Sequence, residues 1–155
     1  MKPVVCAATI EAPAGNVFDV VGDIPHAADT ISGIESIEML TDGPVGEGTR
    51  WRETRTFFGK TADETMWITE WEPPLRYVAE ARNHGTHYLT EVAVEDLGDG
   101  RSRLTFSMLA EPETLMSRVL MVAFSWMRGH VVKAFEADLQ DVKRACEADG
   151  VSASD

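Results

Sequence analysis

The sequence predicts an α+β domain in which a curved, seven-stranded antiparallel sheet wraps around a long C-terminal helix. Segments rich in strand-forming residues follow one another from residue 49 to residue 111, separated by short turns without a helical pattern. That spacing is typical of an antiparallel meander. A long amphipathic segment at 113–149 closes the chain, and one strand with two short helices precedes the meander.

Each element is predicted from its own residues. Residues 3–12 are rich in β-branched and small side chains and predict the first strand. Pro13 and Pro25 fit the first turns of two short helices, the second ending near Gly33. An edge strand is expected at 34–40, after which the meander strands are expected at 49–58, 61–71, 76–83, 86–96 and 102–111.

The closing segment predicts a single helix, because its apolar residues recur every three or four positions. Only this helix is long enough to cover the apolar face of an open sheet. We expect residues 1–149 to form one helix-grip ligand-binding domain and residues 150–155 to form a disordered tail. The apolar stripe consists of Leu115, Val119, Ala123, Met127, Val131, Phe135, Leu139, Val142 and Cys146.

Size and composition exclude several classes of protein. A chain of 155 residues can bury a core without disulfides or metal. The formal net charge of −12 argues against nucleic-acid binding, which relies on clustered Lys and Arg. The most apolar stretch, 119–127, is far shorter than the roughly 20 residues that span a bilayer, so we expect no stable membrane insertion.

The cysteines and histidines give no sign of a metal or cofactor site. Cys6 and Cys146 lie at opposite ends of the chain and outside any C-x-x-C pair. His84 and His87 flank a tight turn without a third ligand nearby, so a surface hairpin explains them better than a metal. We therefore expect no cofactor and no metal. Two thiols and the absence of a secretory signal favour a cytoplasmic location.

Four short motifs lie along the chain: IEAP at 10–13, VF at 17–18, GEGT at 46–49 and EWEPPLR at 70–76. With these and its closing amphipathic helix, the chain resembles the START-related and polyketide cyclase/dehydrase-like (SRPBCC) superfamily over almost its whole length. The resemblance implies a helix-grip fold with an internal cavity for a hydrophobic ligand. Members include carriers, hormone receptors and cyclases, so the resemblance implies neither one reaction nor a catalytic residue.

The inner face of the sheet can be assigned from hairpin register. If Gly59 and Lys60 form a two-residue turn, one face of the hairpin is clearly the more apolar and is expected to point inward. A single bulge would reverse the faces beyond it. In this register the facing residues are Arg55 with Glu64, Glu53 with Met66, and Trp51 with Ile68.

Extending this register across the later strands and adding the helix stripe predicts the ligand-binding residues. The prediction combines apolar walls with a few polar side chains, which is the usual composition of a small-molecule site. The predicted residues are Trp51, Glu53, Arg55, Glu64, Met66, Ile68, Tyr77, Tyr88, Thr90, Phe106, Met108, Ala123 and Met127.

Charged side chains on the inner face of the sheet need partners of opposite charge. Glu53, Arg55 and Glu64 would lie among apolar side chains, and burying a charge costs several kcal/mol unless it is paired. An Arg55–Glu64 ion pair is therefore expected. It can be a structural cross-strand pair, which we favour, or a polar handle that orients a ligand.

Two residues are candidates for acid–base chemistry. Glu64 would lie in the predicted cavity, and His130 would lie near the cavity side of the long helix. Histidine exchanges protons near neutral pH, whereas a buried carboxyl group does so only if burial raises its pKa. No Ser or Cys has a visibly placed base, so nucleophilic catalysis is not supported.

Three functions remain open at this point. The first is binding or carriage of a small hydrophobic molecule, lipid-like or resembling an aromatic polyketide. The second is an enzyme of cyclase or dehydratase type that uses Glu64 or His130. The third is a protein-interaction module without a small ligand, since residues 115–126 are apolar around most of the predicted helix and would also serve as a homodimer surface.

Overall fold

The computed structural model describes residues 2–57 and 59–154. Strands and helices follow in the predicted order, with a 3₁₀ turn at Ile24–His26 before the second helix and another at Ser125–Met127. The strands are β1 Val4–Ile10, β2 Ile34–Met39, β3 Arg50–Phe57, β4 Lys60–Glu72, β5 Arg76–Asn83, β6 Thr86–Gly98 and β7 Arg101–Pro112. The helices are α1 Ala14–Val21, α2 Ala27–Thr30, α3 Leu115–Ala123 and α4 Arg128–Ser154.

The sheet is antiparallel throughout, in the order β1-β7-β6-β5-β4-β3-β2. The meander β3 to β7 is therefore confirmed, and β2 lies at one edge, as predicted. α4 packs against β1, while α1 contacts α4 and the strands β6 and β7. This is the helix-grip arrangement, with one face of the sheet turned toward α4.

The register of the β3–β4 hairpin differs from the prediction by two residues. Lys60 pairs with Phe57 inside the ladder, so it does not belong to the turn. Gly59 lies in the turn, as predicted, with φ +75°, a left-handed conformation that glycine adopts without strain. A shift of two residues preserves which side chains share a face. The predicted inner face is therefore correct, although its pairs become Trp51–Met66, Glu53–Glu64 and Arg55–Ala62.

A bulge in β4 changes the inner face farther along the strand. The pairing with β5 shifts between Ile68 and Glu70, which leaves Thr69 as the extra residue. Beyond it Trp71 pairs with Tyr77 and packs against Phe18, with ring centroids 5.1 Å apart. Strict alternation would have pointed Trp71 outward. Because of the bulge, its indole instead points inward and packs against the core.

The predicted single helix 113–149 is wrong, because the structure divides this segment. α3 ends at Ala123, the next residue Phe124 leaves helical geometry with φ −105° and ψ 21°, and α4 begins at Arg128 after the 3₁₀ turn. Leu115 and Val119 consequently leave the buried stripe and become 80% and 56% exposed. At its other end α4 continues to Ser154, past residue 150 where we placed the start of the tail.

The core fills the space between the sheet and α4. Its fully buried members include Ile10, Val17, Leu104, Leu139 and Val142, which come from β1, α1, β7 and α4. In the part of the chain that the structure describes, no helix has the length and apolarity needed to cross a membrane.

Candidate ligand-binding site

Two neighbouring compartments lie between the sheet and the C-terminal helices. The inner cavity, about 250 Å³, is lined by the concave sheet face, α4 and the segment around α1 and α2. The outer chamber, about 590 Å³, lies between α3, the start of α4 and the near ends of β1, β6 and β7. Met108 and Val131 line both, so these two side chains separate the compartments.

The structure brings most of the predicted ligand-binding residues together around these compartments. Nine of them line the inner cavity: Trp51, Glu53, Arg55, Glu64, Met66, Tyr77, Thr90, Phe106 and Met108. Tyr88 and Met127 line the outer chamber. Ile68 lies in the packed core at 1% exposure, and Ala123 is exposed at the end of α3 because the helix breaks immediately after it.

A charged cluster forms the polar end of the inner cavity. The guanidinium of Arg55 donates from Nε to Glu53 Oε2 at 2.8 Å, on the same strand. It also donates from Nη2 to Asp138 Oδ2 at 2.9 Å and from Nη1 to Asp138 Oδ1 at 3.3 Å. The expected Arg55–Glu64 pair is therefore replaced by a fork onto α4. The register explains this, because Glu64 faces Glu53 across the ladder whereas Arg55 faces Ala62.

Asp138 was missed by the sequence analysis, although the sequence carries a signal for it. Val131, Phe135, Asp138 and Val142 follow the helical spacing of one buried face, and all four line the inner cavity. A carboxylate inside an apolar stripe needs a buried cation, and the inward-facing cation of the hairpin is Arg55. The Asp138 side chain is only 6% exposed, so the fork is largely shielded from solvent.

Burial sets the protonation behaviour of the cluster. Burial raises the pKa of Glu64, and the facing charge of Glu53 raises it further, while Arg55 acts in the opposite direction. Burial also raises the pKa of Asp138, against the opposing effect of its hydrogen bonds from Arg55. For Arg55 itself, burial is outweighed by Asp138 and Glu53, so its pKa is raised and it stays charged.

A glycine lets the loop before β2 approach this cluster. A Cβ at Gly33 would lie 3.3 Å from Arg55 Nη1 and 3.7 Å from Asp138 Oδ1. Any side chain there would therefore crowd the fork. Nearby, Ser32 donates from both its backbone N and its Oγ to Asp141 of α4 at 2.9 Å. The loop is thus tied to the helix turn that carries Asp138.

Aromatic side chains form the adjoining wall. The Tyr77 hydroxyl donates to the Val21 carbonyl oxygen at 2.9 Å, and the Tyr77 ring contacts Trp71 at 5.5 Å between centroids. Trp51 also lines the cavity and is 2% exposed. Its indole Nε1 is buried without a hydrogen-bond partner among the described residues. An unpaired buried N–H costs about 1–3 kcal/mol, so this donor would gain from an acceptor.

His130 and the H-x-x-H histidines lie away from the charged cluster. The His130 side chain is exposed and meets the Trp126 ring edge-on, with centroids 5.8 Å apart, and it lines neither compartment. His87 faces the outside of the sheet, where its Nε2 lies 2.6 Å from Glu80 Oε1. His84 lines the outer chamber from the β5–β6 turn.

The arrangement suits a small, mostly apolar guest with one polar end. The inner cavity offers one guanidinium, whose fork is already engaged by two carboxylates, together with the third carboxyl group of Glu64. Thr90 adds a hydroxyl group to the same wall. Most of the remaining lining is aliphatic or aromatic, so the cavity can exclude water from a guest and hold its polar end at a fixed place.

Similar folds occur among solved structures. The protein TTHA0849 from Thermus thermophilus has a TM-score of 0.74 at 18% identity, with 94% of this chain and 97% of that chain covered. The Zhui aromatase/cyclase from Streptomyces sp. R1128 has a TM-score of 0.71 at 20% identity, with 94% and 93% covered. Norcoclaurine synthase from Thalictrum flavum, in complex with dopamine and hydroxybenzaldehyde, has a TM-score of 0.70 at 13% identity, with 93% and 85% covered. At these identities the likeness is one of fold.

The sequence itself gives a more specific result. No curated protein matches the chain in sequence. The family described as "Polyketide cyclase / dehydrase and lipid transport" matches residues 3–147, which include β1, the whole meander and most of α4. The chain therefore belongs to the polyketide cyclase / dehydrase and lipid transport family.

Proposed function

We propose that the protein binds a small, mostly apolar molecule in the inner cavity and orients it by a hydrogen-bond-donating group directed at Glu53 and Glu64. The observation that carries this proposal is the charged cluster at one end of an otherwise apolar cavity. Family membership supports binding of a hydrophobic ligand or a cyclase-type activity. From family membership we further propose that the bound molecule is lipid-like or resembles an aromatic polyketide.

The charges in the inner cavity favour a guest with a hydrogen-bond-donating group over a guest with an anionic group. Three carboxyl groups, those of Glu53, Glu64 and Asp138, line the cavity with the single guanidinium of Arg55, which bonds to the first and the last of them. A guest carboxylate would add a further negative charge to a desolvated site, and like charges at close range are strongly unfavourable there. A phenol, alcohol or amine would instead donate to a carboxylate oxygen. Trp51 Nε1 would donate to a carbonyl or ether oxygen elsewhere on the guest.

Isothermal titration calorimetry with matched naphthalenes tests this preference. The series is 2-naphthol, 2-naphthylmethylamine and 2-naphthoate, which share one apolar body and differ in the polar group. We expect the carboxylate to bind at least about tenfold more weakly than the better of the other two, because one unpaired buried charge is worth more than about 1.4 kcal/mol. Equal binding of all three would contradict the proposed orientation.

A pair of variants identifies the group that makes the selection. Glu64→Gln removes the carboxylate that Arg55 does not engage directly, and it should reduce the discrimination against 2-naphthoate. Glu38→Gln is the matched control, because Glu38 is 63% exposed and pairs with Arg52 on the outer face. Native mass spectrometry of the freshly purified protein, followed by organic extraction, would name the natural guest.

A second candidate is an enzyme of cyclase or dehydratase type. One observation favours it: burial raises the pKa of Glu64 toward the range in which a carboxyl group can both accept and return a proton. Glu64 would take a proton from a carbon next to a carbonyl and return it to the oxygen that leaves as water. His130, the other candidate, would need a substrate that extends beyond both compartments.

Turnover separates the carrier from the enzyme. If Glu64 moves protons, Glu64→Gln should lower kcat by about 100-fold or more while the dissociation constant changes little. If the protein is a carrier, the extracted guest should be recovered unchanged after incubation. We also propose a cytoplasmic location, with which Cys6 and Cys146 are compatible, because both are buried and neither forms a disulfide.

A further inference from the structure

Exposed apolar side chains are concentrated on one short segment of the molecule. Of the ten large hydrophobic side chains that are exposed in the described part of the chain, seven lie between residues 115 and 126. Isolated exposed apolar residues are ordinary, but a contiguous group marks a surface that contacts something. We call the outermost of them the apolar ridge: Leu115, Met116, Val119, Val122, Phe124 and Trp126, at 80%, 68%, 56%, 74%, 49% and 61% exposure.

The charge around the apolar ridge is opposite in sign to the charge of the protein. Residues 114–135 contain Arg118, Arg128 and Lys133 and no Asp or Glu, in a chain whose net charge is −12. The adjoining Glu113 is paired with Arg82, at 3.2 Å between Glu113 Oε1 and Arg82 Nε. Arg128 is held in place by the carbonyl oxygens of Lys2 and Pro3, at 2.9 and 2.8 Å. Its bound partners are neutral, so its positive charge persists beside the ridge.

We infer that the apolar ridge and its arginines dock the protein on an anionic lipid surface. Apolar side chains that include Trp and Phe enter the boundary between headgroups and acyl chains, and nearby cations are attracted by acidic headgroups. The ridge is the convex outer side of a helix. A fluid lipid layer accepts a convex surface, whereas a protein partner would have to supply a matching groove.

Charge also argues against a second copy as the occupant. A symmetric contact places the same patch of both copies face to face. The positive charges of Arg118 and Arg128 would then face those of the other copy. An anionic lipid surface pairs these same cations with opposite charge.

Docking in this orientation would place the outer chamber next to the lipid. Leu120 and Phe124 are partly exposed and also line the chamber, so the surface that enters the lipid is continuous with the chamber wall. The Met121 and Met127 side chains complete that wall from the protein side. Methionine adapts its shape readily, which suits a wall whose neighbour is fluid.

Vesicle co-sedimentation tests the inference with the full-length protein. The probes are vesicles of phosphatidylcholine alone and of phosphatidylcholine with phosphatidylserine at roughly a 3:1 molar ratio. We expect at least about tenfold stronger partitioning onto the anionic vesicles, and a loss of this preference at high salt, because headgroup attraction is screened there.

Two variants and two controls locate the contact. Val122→Asp and Arg118→Glu should each lower partitioning by about tenfold or more, the first by placing a charge in the apolar layer and the second by reversing an attraction. Leu75→Asp and Arg101→Glu alter exposed residues away from the ridge and should leave partitioning unchanged. Thermal unfolding by circular dichroism confirms that each variant is folded.

The same variants and measurements distinguish an anionic lipid surface from other partners of the apolar ridge. Failure to bind anionic vesicles would overturn the inference, as would binding that Val122→Asp and Arg118→Glu leave intact. A dimeric mass in light scattering that Val122→Asp abolishes, without vesicle binding, would assign the ridge to a second copy. Binding of the naphthalene series to the non-docking variants would leave the proposed ligand-binding function untouched.

Discussion

The inner cavity and the outer chamber differ in how their walls are fixed. In the inner cavity Arg55, Glu53 and Asp138 hold one another at defined distances, from positions on a strand and on α4. Among the described residues, the outer chamber has no comparable network of ion pairs; three methionines contribute to its wall, together with Leu120 and Phe124, which are 42% and 49% exposed. The inner compartment can therefore discriminate between guests by polar groups, whereas the outer one can accept guests of varied shape.

The two compartments should differ most in the unfolding free energy that is lost when the arginine of each is replaced. Arg55→Met leaves the carboxylates of Asp138 and Glu53 without their cation and should cost about 3–5 kcal/mol of unfolding free energy. Arg128→Met removes only exposed hydrogen bonds to carbonyl oxygens and should cost about 1 kcal/mol or less. Urea unfolding followed by circular dichroism measures both. Equal costs would show that the inner fork is more solvated than its burial suggests.

Two leucine substitutions compare side-chain packing in the core with packing at the wall of the outer chamber. Leu139 is 1% exposed, and Leu139→Ala should cost about 2–5 kcal/mol because it leaves a cavity in the core. Leu120 is 42% exposed on the wall of the outer chamber, so Leu120→Ala should cost roughly 1 kcal/mol or less. A large cost at Leu120 would mean that the outer chamber is covered in solution, for instance by self-association.

A larger side chain at the boundary should separate the compartments. Val131 lines both of them, so Val131→Phe adds volume where the compartments adjoin and should destabilise the fold by about 1–3 kcal/mol through overpacking. If guests reach the inner cavity through the outer chamber, stopped-flow association should slow by about tenfold, while pre-equilibrated binding changes less. An unchanged association rate would indicate another route into the inner cavity.

The smallest expected effect is a dependence of stability on pH that traces to Glu64. Its raised pKa means that the folded protein holds this proton more tightly than the unfolded chain does. The stability gained from that proton is present below the ordinary value of 4.5 and is lost as pH rises through the raised pKa. The unfolding free energy of Glu64→Gln relative to the natural protein should therefore increase over this window and then level off. Glu38→Gln should show no such trend.

Much of the fold could be predicted because its signals are local. Turn residues and strand propensity located the meander, and period-two alternation identified the inner face even though the hairpin register was off by two residues. An even shift is invisible to an alternation argument, because it keeps the same side chains on each face of the sheet. The bulge at Thr69 has no comparable sequence signal, so Trp71 was not placed in the core.

The site was predicted only in part because its key contacts join distant segments. Arg55 and Asp138 are 83 residues apart, and nothing in hairpin arithmetic relates them. Asp138 could have been found by asking why a carboxylate interrupts the apolar stripe of α4. The break at Phe124 is harder to predict, since apolar residues continue through it. Continuous periodicity therefore placed Leu115, Ala123 and His130 on an inner face that the chain does not form.

The positions of two tryptophans make the protein its own optical reporter. Trp51 is 2% exposed in the wall of the inner cavity, whereas Trp126 is 61% exposed on the apolar ridge. An indole in an apolar site emits at shorter wavelength than one in water. Filling the inner cavity should therefore alter the short-wavelength emission, and covering the ridge should shift the long-wavelength emission toward the blue. Trp126→Phe would remove the ridge signal and leave the emission of Trp51, Trp67 and Trp71, so a comparison of the two proteins assigns the blue shift to the ridge.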